Sequence, residues 1–294
     1  MRYIKNTILL ILSIWLFGCE VDVDSSDLLD QEQLTIINGF ISPQDVTLKV
    51  QVSKSKVRGE KVTSDEDYVI KGAIVTILDE AKNEIRLNYN QESLNYEAPV
   101  TSQFVKPGKK YYLSVIVTGK EFKSSCVIPL EKVEKIQQKI SDNTNFEFNG
   151  NKKLRVTVND IENKDNFYII GAKFLYSHKQ KTALGKEEIT EDSGAVRFSS
   201  NQFVTDVKGS KSVVIADGYF YGLYNYDNVT ESKFKIQVSN TEKILYDFLR
   251  AEFINKDLGE DFFTDPIIAP TNIEGENAYG VFGGFNITEV EIKL

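Results

Sequence analysis

The sequence predicts a mainly β protein in two β-rich domains, an N-terminal immunoglobulin- or transthyretin-like sandwich and a C-terminal antiparallel β domain with one amphipathic helix. Three observations carry this. Val46, Leu48, Val50 and Val52 alternate with Thr47, Lys49, Gln51 and Ser53, the period of two that buries one face of a strand. The runs Tyr68 to Leu78 and Phe167 to Tyr176 are apolar on both parities, as strands covered on both faces are. Only Ser239 to about Ile254 has helical spacing, with Ile244, Leu245, Phe248, Ala251 and Phe253 largely on one side and Glu242, Lys243, Asp247 and Arg250 facing out. Ser239 and Glu242 are spaced as a capping box at its start.

In chain order, Leu34 to Ile41 is a β-branched first strand that turns near Pro43, and residues 53–67 form a polar, charged loop. Asp79 to Asn83 is the turn after the Tyr68 to Leu78 strand, and Glu84 to Tyr89 is the next strand. Pro107-Gly108 turns the chain into Tyr111 to Thr118, which returns through Phe122 to Ile128 and stops at Pro129. Residues 33–130 therefore make the first domain. Residues 131–153 are the expected linker: Leu130 to Ile140 reads as a short helix or a linking strand, and Ser141 to Lys153 is rich in Asn, Asp and Gly.

The second domain, 154–294, restarts with Leu154, Val156 and Val158 and continues through Phe167 to Tyr176. Lys179 to Gly194 reads as a long charged excursion, followed by strands at Ala195 to Phe203, Ser212 to Ala216 and Lys233 to Val238. A helix near 240–254 covers an open sheet or barrel end, the alternative being a helix that binds a partner. Gly280 to Gly284 reads as a bend that permits close backbone approach, before a closing strand at Ile287 to Leu294.

The N-terminus carries the most specific signal. Arg2 and Lys5 precede the apolar run Ile8 to Phe17, which is too short for the ~20 residues of a membrane span. The run ends at Leu16-Phe17-Gly18-Cys19, which resembles a bacterial lipobox, with Phe17 bulkier than the usual residue there. Residues 1–18 are thus expected to be a lipoprotein signal peptide and Cys19 the lipidated residue; the alternatives are an ordinary secretory peptide or an uncleaved anchor. Residues 19–32 are an acidic tether, with Glu20, Asp22, Asp24, Asp27 and Asp30 and no base. It is similar to the acidic export signals of surface-exposed lipoproteins and reads otherwise as a plain solvated linker.

Composition narrows the function. Loss of Arg2 and Lys5 takes the 35 bases to 33 against 43 acids, a net charge of −10, which argues against nucleic acid and anionic membrane surfaces as partners. Cys19 and Cys126 are the only cysteines, so acylation of the first leaves no internal disulfide. The single Trp also leaves with the signal, which weakens a glycan-stacking role.

The sequence presents no catalytic, metal or cofactor residues. His178 is the only histidine and reads as a loop residue beside Lys179 and Lys181, no Gly-x-Ser-x-Gly elbow occurs, and Cys126 reads as a small core residue. Asp257 to Asp265 holds four acids but lacks the spacing of a Ca²⁺ loop. Asp217 to Asn228 does stand out, because Tyr219, Tyr221, Tyr224 and Tyr226 with Phe220 form an aromatic hairpin or loop. These tyrosines either contact a ligand or partner, for which tyrosine is well suited, or pack on the sheet beneath.

Several landmarks, taken together, are similar to a family of Bacteroidota outer-membrane lipoproteins known as domain of unknown function 4249. They are Cys19, Asn38-Gly39, Lys71-Gly72-Ala73-x-Val75 and Ser124-Ser125-x-x-Ile128-Pro129. Further on come Asp165-Asn166-Phe167-Tyr168, the Ser239 to Phe253 helix, Asn272-Ile273-Glu274-Gly275 and Gly280-Val281-Phe282-Gly283. The resemblance implies an outer-membrane lipoprotein encoded beside TonB-dependent receptors, with no established chemistry. The expected function is that of a non-enzymatic accessory or binding subunit, lipid-anchored in the outer membrane through acylated Cys19 and working with a TonB-dependent outer-membrane transporter. The alternative is a stand-alone surface protein that binds glycan or peptide.

Overall fold

The computed structural model describes residues 33–56, 64–100, 103–144, 151–162, 164–181, 185–198, 200–206, 213–221, 228–258 and 267–294. The signal segment, the tether with Cys19, and Tyr224 and Tyr226 lie outside the described residues.

The first half contains β1 (Thr35–Ile41), β2 (Thr47–Lys54), β3 (Ile74–Asp79), β4 (Glu84–Asn90), β5 (Asn95–Pro99), β6 (Lys110–Val117) and β7 (Lys120–Val127). Then follow β8 (Ile136–Asp142), β9 (Lys152–Asn159), β10 (Asn166–Lys181), β11 (Glu187–Ala195), β12 (Arg197–Phe198), β13 (Phe203–Asp206), β14 (Val213–Phe220) and β15 (Val229–Thr241). The helix α1 (Lys243–Leu258) and the strand β16 (Ala278–Lys293) complete the chain. One path of hydrogen-bonded strands runs β11-β10-β15-β16-β1-β2-β5-β4-β3-β6-β7, with β13 beside β10, and a second sheet has the order β12-β14-β9-β8.

Strand β16 positions everything else. Its first half pairs in parallel with β1, from Thr35 opposite Ala278 to Ile41 opposite Gly284. Its second half pairs antiparallel with β15, from Thr241 opposite Phe285 to Lys233 opposite Lys293. One strand thus serves two hydrophobic cores: Phe282 packs with Ile37, Val50 and Tyr111, while Val290 and Ile292 pack with Val156, Phe234 and Ile236. Val281 faces a third cluster with Leu245, Phe248 and Ala251 of α1. The second core lies between two sheets, as in a sandwich, with Tyr168, Ile170 and Phe234 on one side and Leu154, Val214 and Phe220 on the other. Phe174, Phe220 and Phe234 close it with ring centroids 4.9 to 5.5 Å apart.

The connector between β7 and β8 is fastened along β15 and β16 by side chains, in place of a strand ladder. Asn286 donates to the Pro129 carbonyl at 3.1 Å, Asn240 donates to the Glu131 carbonyl at 3.0 Å, and Thr288 donates to the Val133 carbonyl. Gln44, from the β1–β2 turn, donates to Asn286 Oδ1 at 3.2 Å and accepts from the Ile287 amide at 3.1 Å. Buried side-chain amides that saturate backbone groups in this way fix one arrangement of the strands.

Several expectations need correction. Residues 131–153, expected as a linker, contain β8 and the start of β9. Tyr68 to Leu78 is not one strand: Asp65–Tyr68 form a 3₁₀ turn, Lys71-Gly72 turn again, and β3 starts only at Ile74. Val46 precedes β2 and is exposed, whereas Leu48, Val50 and Val52 are fully buried as the alternation requires. The charged excursion at Lys179 to Gly194 is largely β-structure, because Lys173 to Lys181 pair in register with Glu187 to Ala195. Charges on a ribbon exposed on both sides carry no periodicity to read. The Gly280 to Gly284 bend is continuous β16.

Ser239, Asn240 and Thr241 remain in β15, opposite Ile287, Asn286 and Phe285, so no capping box forms and α1 starts at Lys243. The Glu242 carboxylate turns away from the helix and accepts from the Val127 amide at 2.6 Å and the Gly284 amide at 3.0 Å. It joins the end of β7 to the midpoint of β16. Burial pushes its carboxyl up, against the opposing pull of the Val127 and Gly284 amides.

Asp45 gives the fold a pH dependence. Its carboxylate accepts from the Ser42 amide at 2.7 Å within the turn that carries Gln44. Burial raises its pKa from 3.8 to about 6. A carboxyl raised in the folded state favours the protonated form, so its contribution to stability is full below pH 4 and is lost as pH rises through 6. Asp45→Asn keeps an acceptor for Ser42 without the charge. It is expected to exceed wild type by about 1 kcal/mol at pH 7.5 and to match it at pH 4, read from urea midpoints.

Candidate partner-binding surface

The tyrosine stretch begins on the edge-side strand β14 of the four-stranded sheet. Its alternation sends Val214, Ala216, Gly218 and Phe220 inward, and the close packing of Val196 and Phe198 against Gly218 leaves no room for a Cβ there. Tyr219 therefore faces outward, yet only 8% of it is accessible. Lys153 of β9 stands opposite it in register, with Nζ 5.9 Å from the ring centroid. Tyr221 follows the strand and is 68% exposed. Of the four tyrosines marked in the sequence, the structure thus separates one covered and one open ring, and Tyr224 and Tyr226 lie outside the described residues.

Beside Tyr219 is a charged group that sequence reasoning missed. Asp217 lies opposite Arg155 in the ladder and receives a two-pronged contact, Nε to Oδ1 at 2.8 Å and Nη2 to Oδ2 at 2.9 Å. Lys153 Nζ reaches the same carboxylate at 2.8 Å. The Arg155 guanidinium holds the Asp217 carboxyl below its ordinary range, against the opposing effect of partial burial. The spacing Lys153-x-Arg155 in a predicted strand puts both bases on one face and is the signal that could have marked it.

Other sequence candidates resolve into structure. His178 is on β10, not in a loop; its side chain is mostly covered, its ring lies 5.9 Å from that of Tyr176, and Nδ1 is 3.5 Å from Asp192 Oδ2. Cys126 is buried in β7, and burial pushes its thiol pKa up, so it is not poised as a nucleophile. Among the described residues no three metal-ligating side chains gather, and no helix is long and apolar enough to cross a membrane.

The motif residues that the sequence singled out have backbone partners. Asn38 accepts from the Val281 amide, and Asn272 exchanges two hydrogen bonds with Phe282, at 2.8 and 2.9 Å. Asn166 donates to the Ile161 carbonyl at 2.6 Å, and the Tyr168 hydroxyl donates to Asp160 at 2.7 Å while accepting from the Ile161 amide. Their positions are explained by what they hold together.

Fold and surface together define a β-sandwich protein of two cores joined by a shared strand. By its sequence the chain belongs to the family Domain of unknown function (DUF4249), whose model matches residues 19–291. A comparison with curated proteins gave no match. Among solved structures the chain is similar to a two fibronectin type III domain segment of chicken tenascin, at 11% identity and TM-score 0.21, over 71% of this chain and 91% of that one. It is also similar to CBD12 from CALX1.2, at 8% identity and TM-score 0.17, over 85% of this chain and 98% of that one. TM-scores this low add nothing to the strand pairing itself.

Proposed function

We propose that the protein is a non-enzymatic lipoprotein of the outer membrane, anchored through acylated Cys19, which serves as an accessory or binding subunit of a TonB-dependent transporter. The observation that carries the reading is Leu16-Phe17-Gly18-Cys19, an apolar run ending in a small residue before cysteine and followed directly by an acidic tether. Acyl chains on Cys19 contribute about 0.8 kcal/mol per buried CH₂ and hold the chain at the bilayer. A partner in the same bilayer is then met at raised effective concentration.

The fold suits such a role. The tether joins the body at Leu34, beside the start of β16, while Phe220 packs on Phe234, which pairs with Ile292 near the other end of that strand. At about 3.3 Å per residue, the sixteen residues of β16 separate the two ends by up to about 50 Å. Tyr221 is thereby presented away from the Leu34 end of the body. The test is purification of the tagged chain from mildly solubilised outer membranes, where a β-barrel transporter is expected to accompany it; recovery of the chain alone overturns the reading.

A further inference from the structure

The outward face of the β12-β14-β9-β8 sheet departs from the rest of the molecule in two ways. First, its charge is inverted. In a chain of net charge −8, this face carries, among the described residues, Lys139, Lys153, Arg155 and Arg197 against the acid Asp217. Lys139 stands directly opposite Arg155 in the ladder, a like-charge cross-strand pair in which Asp217 answers the charge of Arg155 but not that of Lys139. Asp217 engages Arg155 and Lys153 only; among the described residues Lys139 and Arg197 have no ion-pair partner.

Second, the first half of the outward side of β14 is apolar where alternation calls for polar residues. Val214 and Ala216 fill the core, yet Val213 and Ile215 on the opposite side are 41% and 50% exposed, in line with Tyr221 at 68%. Val213 and Ile215 stand opposite Asn159 and Thr157, and further along the same pair of strands Arg155 and Lys153 stand opposite Asp217 and Tyr219, so an aliphatic patch borders a basic one. The Arg155 guanidinium is already fixed in plane by Asp217, so part of the entropy cost of ordering it is met before any partner arrives.

We propose that this face is a docking surface for another protein, one that presents carboxylates beside an apolar strip. A flat sheet face offers no groove to enclose a small molecule. An anionic bilayer fits less well, since the apolar residues lie along a strand instead of at a protruding tip and Asp217 would be desolvated against the headgroups. The inference rests on the reading that the chain works by binding a protein, and it does not require that partner to be a transporter.

The test uses the full chain in its native outer membrane with benzoylphenylalanine placed at Ile215, or as a control at Val46, which is also apolar and 79% exposed. Irradiation at position 215 is expected to give an adduct with the protein that co-purifies, through a peptide rich in Asp and Glu, and position 46 to give none. Lys139→Glu combined with Arg197→Glu, both at exposed positions, should lower adduct yield about fivefold or more, because charges at the edge of such a surface steer association. An adduct with lipid, glycan, a basic peptide or a second copy of this chain overturns the inference. So does an absent adduct while a partner still co-purifies, or a yield unchanged by the two charge reversals. If no protein co-purifies with the unaltered chain, it is the accessory-subunit reading that fails, and the docking surface falls with it.

Discussion

Gly280→Ala is expected to destabilise the protein by about 4 kcal/mol or more, a loss in the range reserved for disruption of a buried backbone contact. Gly280 has φ +115°, a region L side chains rarely adopt. A Cβ there would stand 2.2 Å from the Ile37 carbonyl oxygen and 2.8 Å from its carbon, both backbone atoms that cannot rotate away. To relieve the clash, β1 and β16 must separate where they pair, Ile37 opposite Gly280. Because β16 also lines the second core, the loss should reach both halves. Gly171→Ala on β10 is the matched control: nothing lies within 4 Å of its Cβ position and its φ is ordinary. Urea unfolding followed by far-ultraviolet circular dichroism should show a large drop in midpoint for the first and little change for the second.

Glu242→Ala is expected to cost about 2 to 4 kcal/mol, since it strands two backbone donors at about 1 to 3 kcal/mol each. The Val127 and Gly284 amides are the donors concerned, and the two chains lie so close that a Cβ on Gly284 would stand 2.7 Å from the Val127 carbonyl oxygen. Glu242→Gln keeps one acceptor oxygen but aims its NH₂ at the other donor, and should fall between wild type and alanine. Amide exchange at Val127 and Gly284, followed by mass spectrometry, separates a local loss from a global one: both should exchange faster in the alanine variant.

The same two positions show what was legible beforehand. Strands with one buried face, such as Leu48-x-Val50-x-Val52, were plain from alternation, because a single solvent boundary imposes the period. The mainly β class follows from that, and the single long helix from the helical spacing of Ile244, Leu245, Phe248 and Ala251. Tertiary pairing overrode local signals elsewhere. Ser239-x-x-Glu242 has the spacing of a capping box, but a partner strand holds Ser239 to Thr241 extended and hands Glu242 to two amides more than 40 residues away in sequence. The glycines at 280, 283 and 284 suggested close backbone approach, and that held; a bend did not, since the approach is by β1, α1 and β7 onto a continuous strand.

The candidate surface was half legible. Tyrosines at 219 and 221 drew attention by composition, but a sequence cannot say which ring a lysine from another strand will cover. The Asp217, Arg155 and Lys153 cluster joins residues 62 and 64 positions apart through the β9–β14 register, and no local pattern encodes that register. Val213 and Ile215 read as ordinary strand residues until the opposite parity is seen to fill the core.

The most direct measurement is purification from outer membranes solubilised in mild detergent, run in parallel on the tagged wild-type chain and on Cys19→Ala. The account predicts that wild type fractionates with the outer membrane and brings a β-barrel transporter with it, and that the variant is released from the membrane and loses most of that partner. A wild-type chain that is soluble without detergent, or that is membrane-bound yet recovered alone, would contradict it.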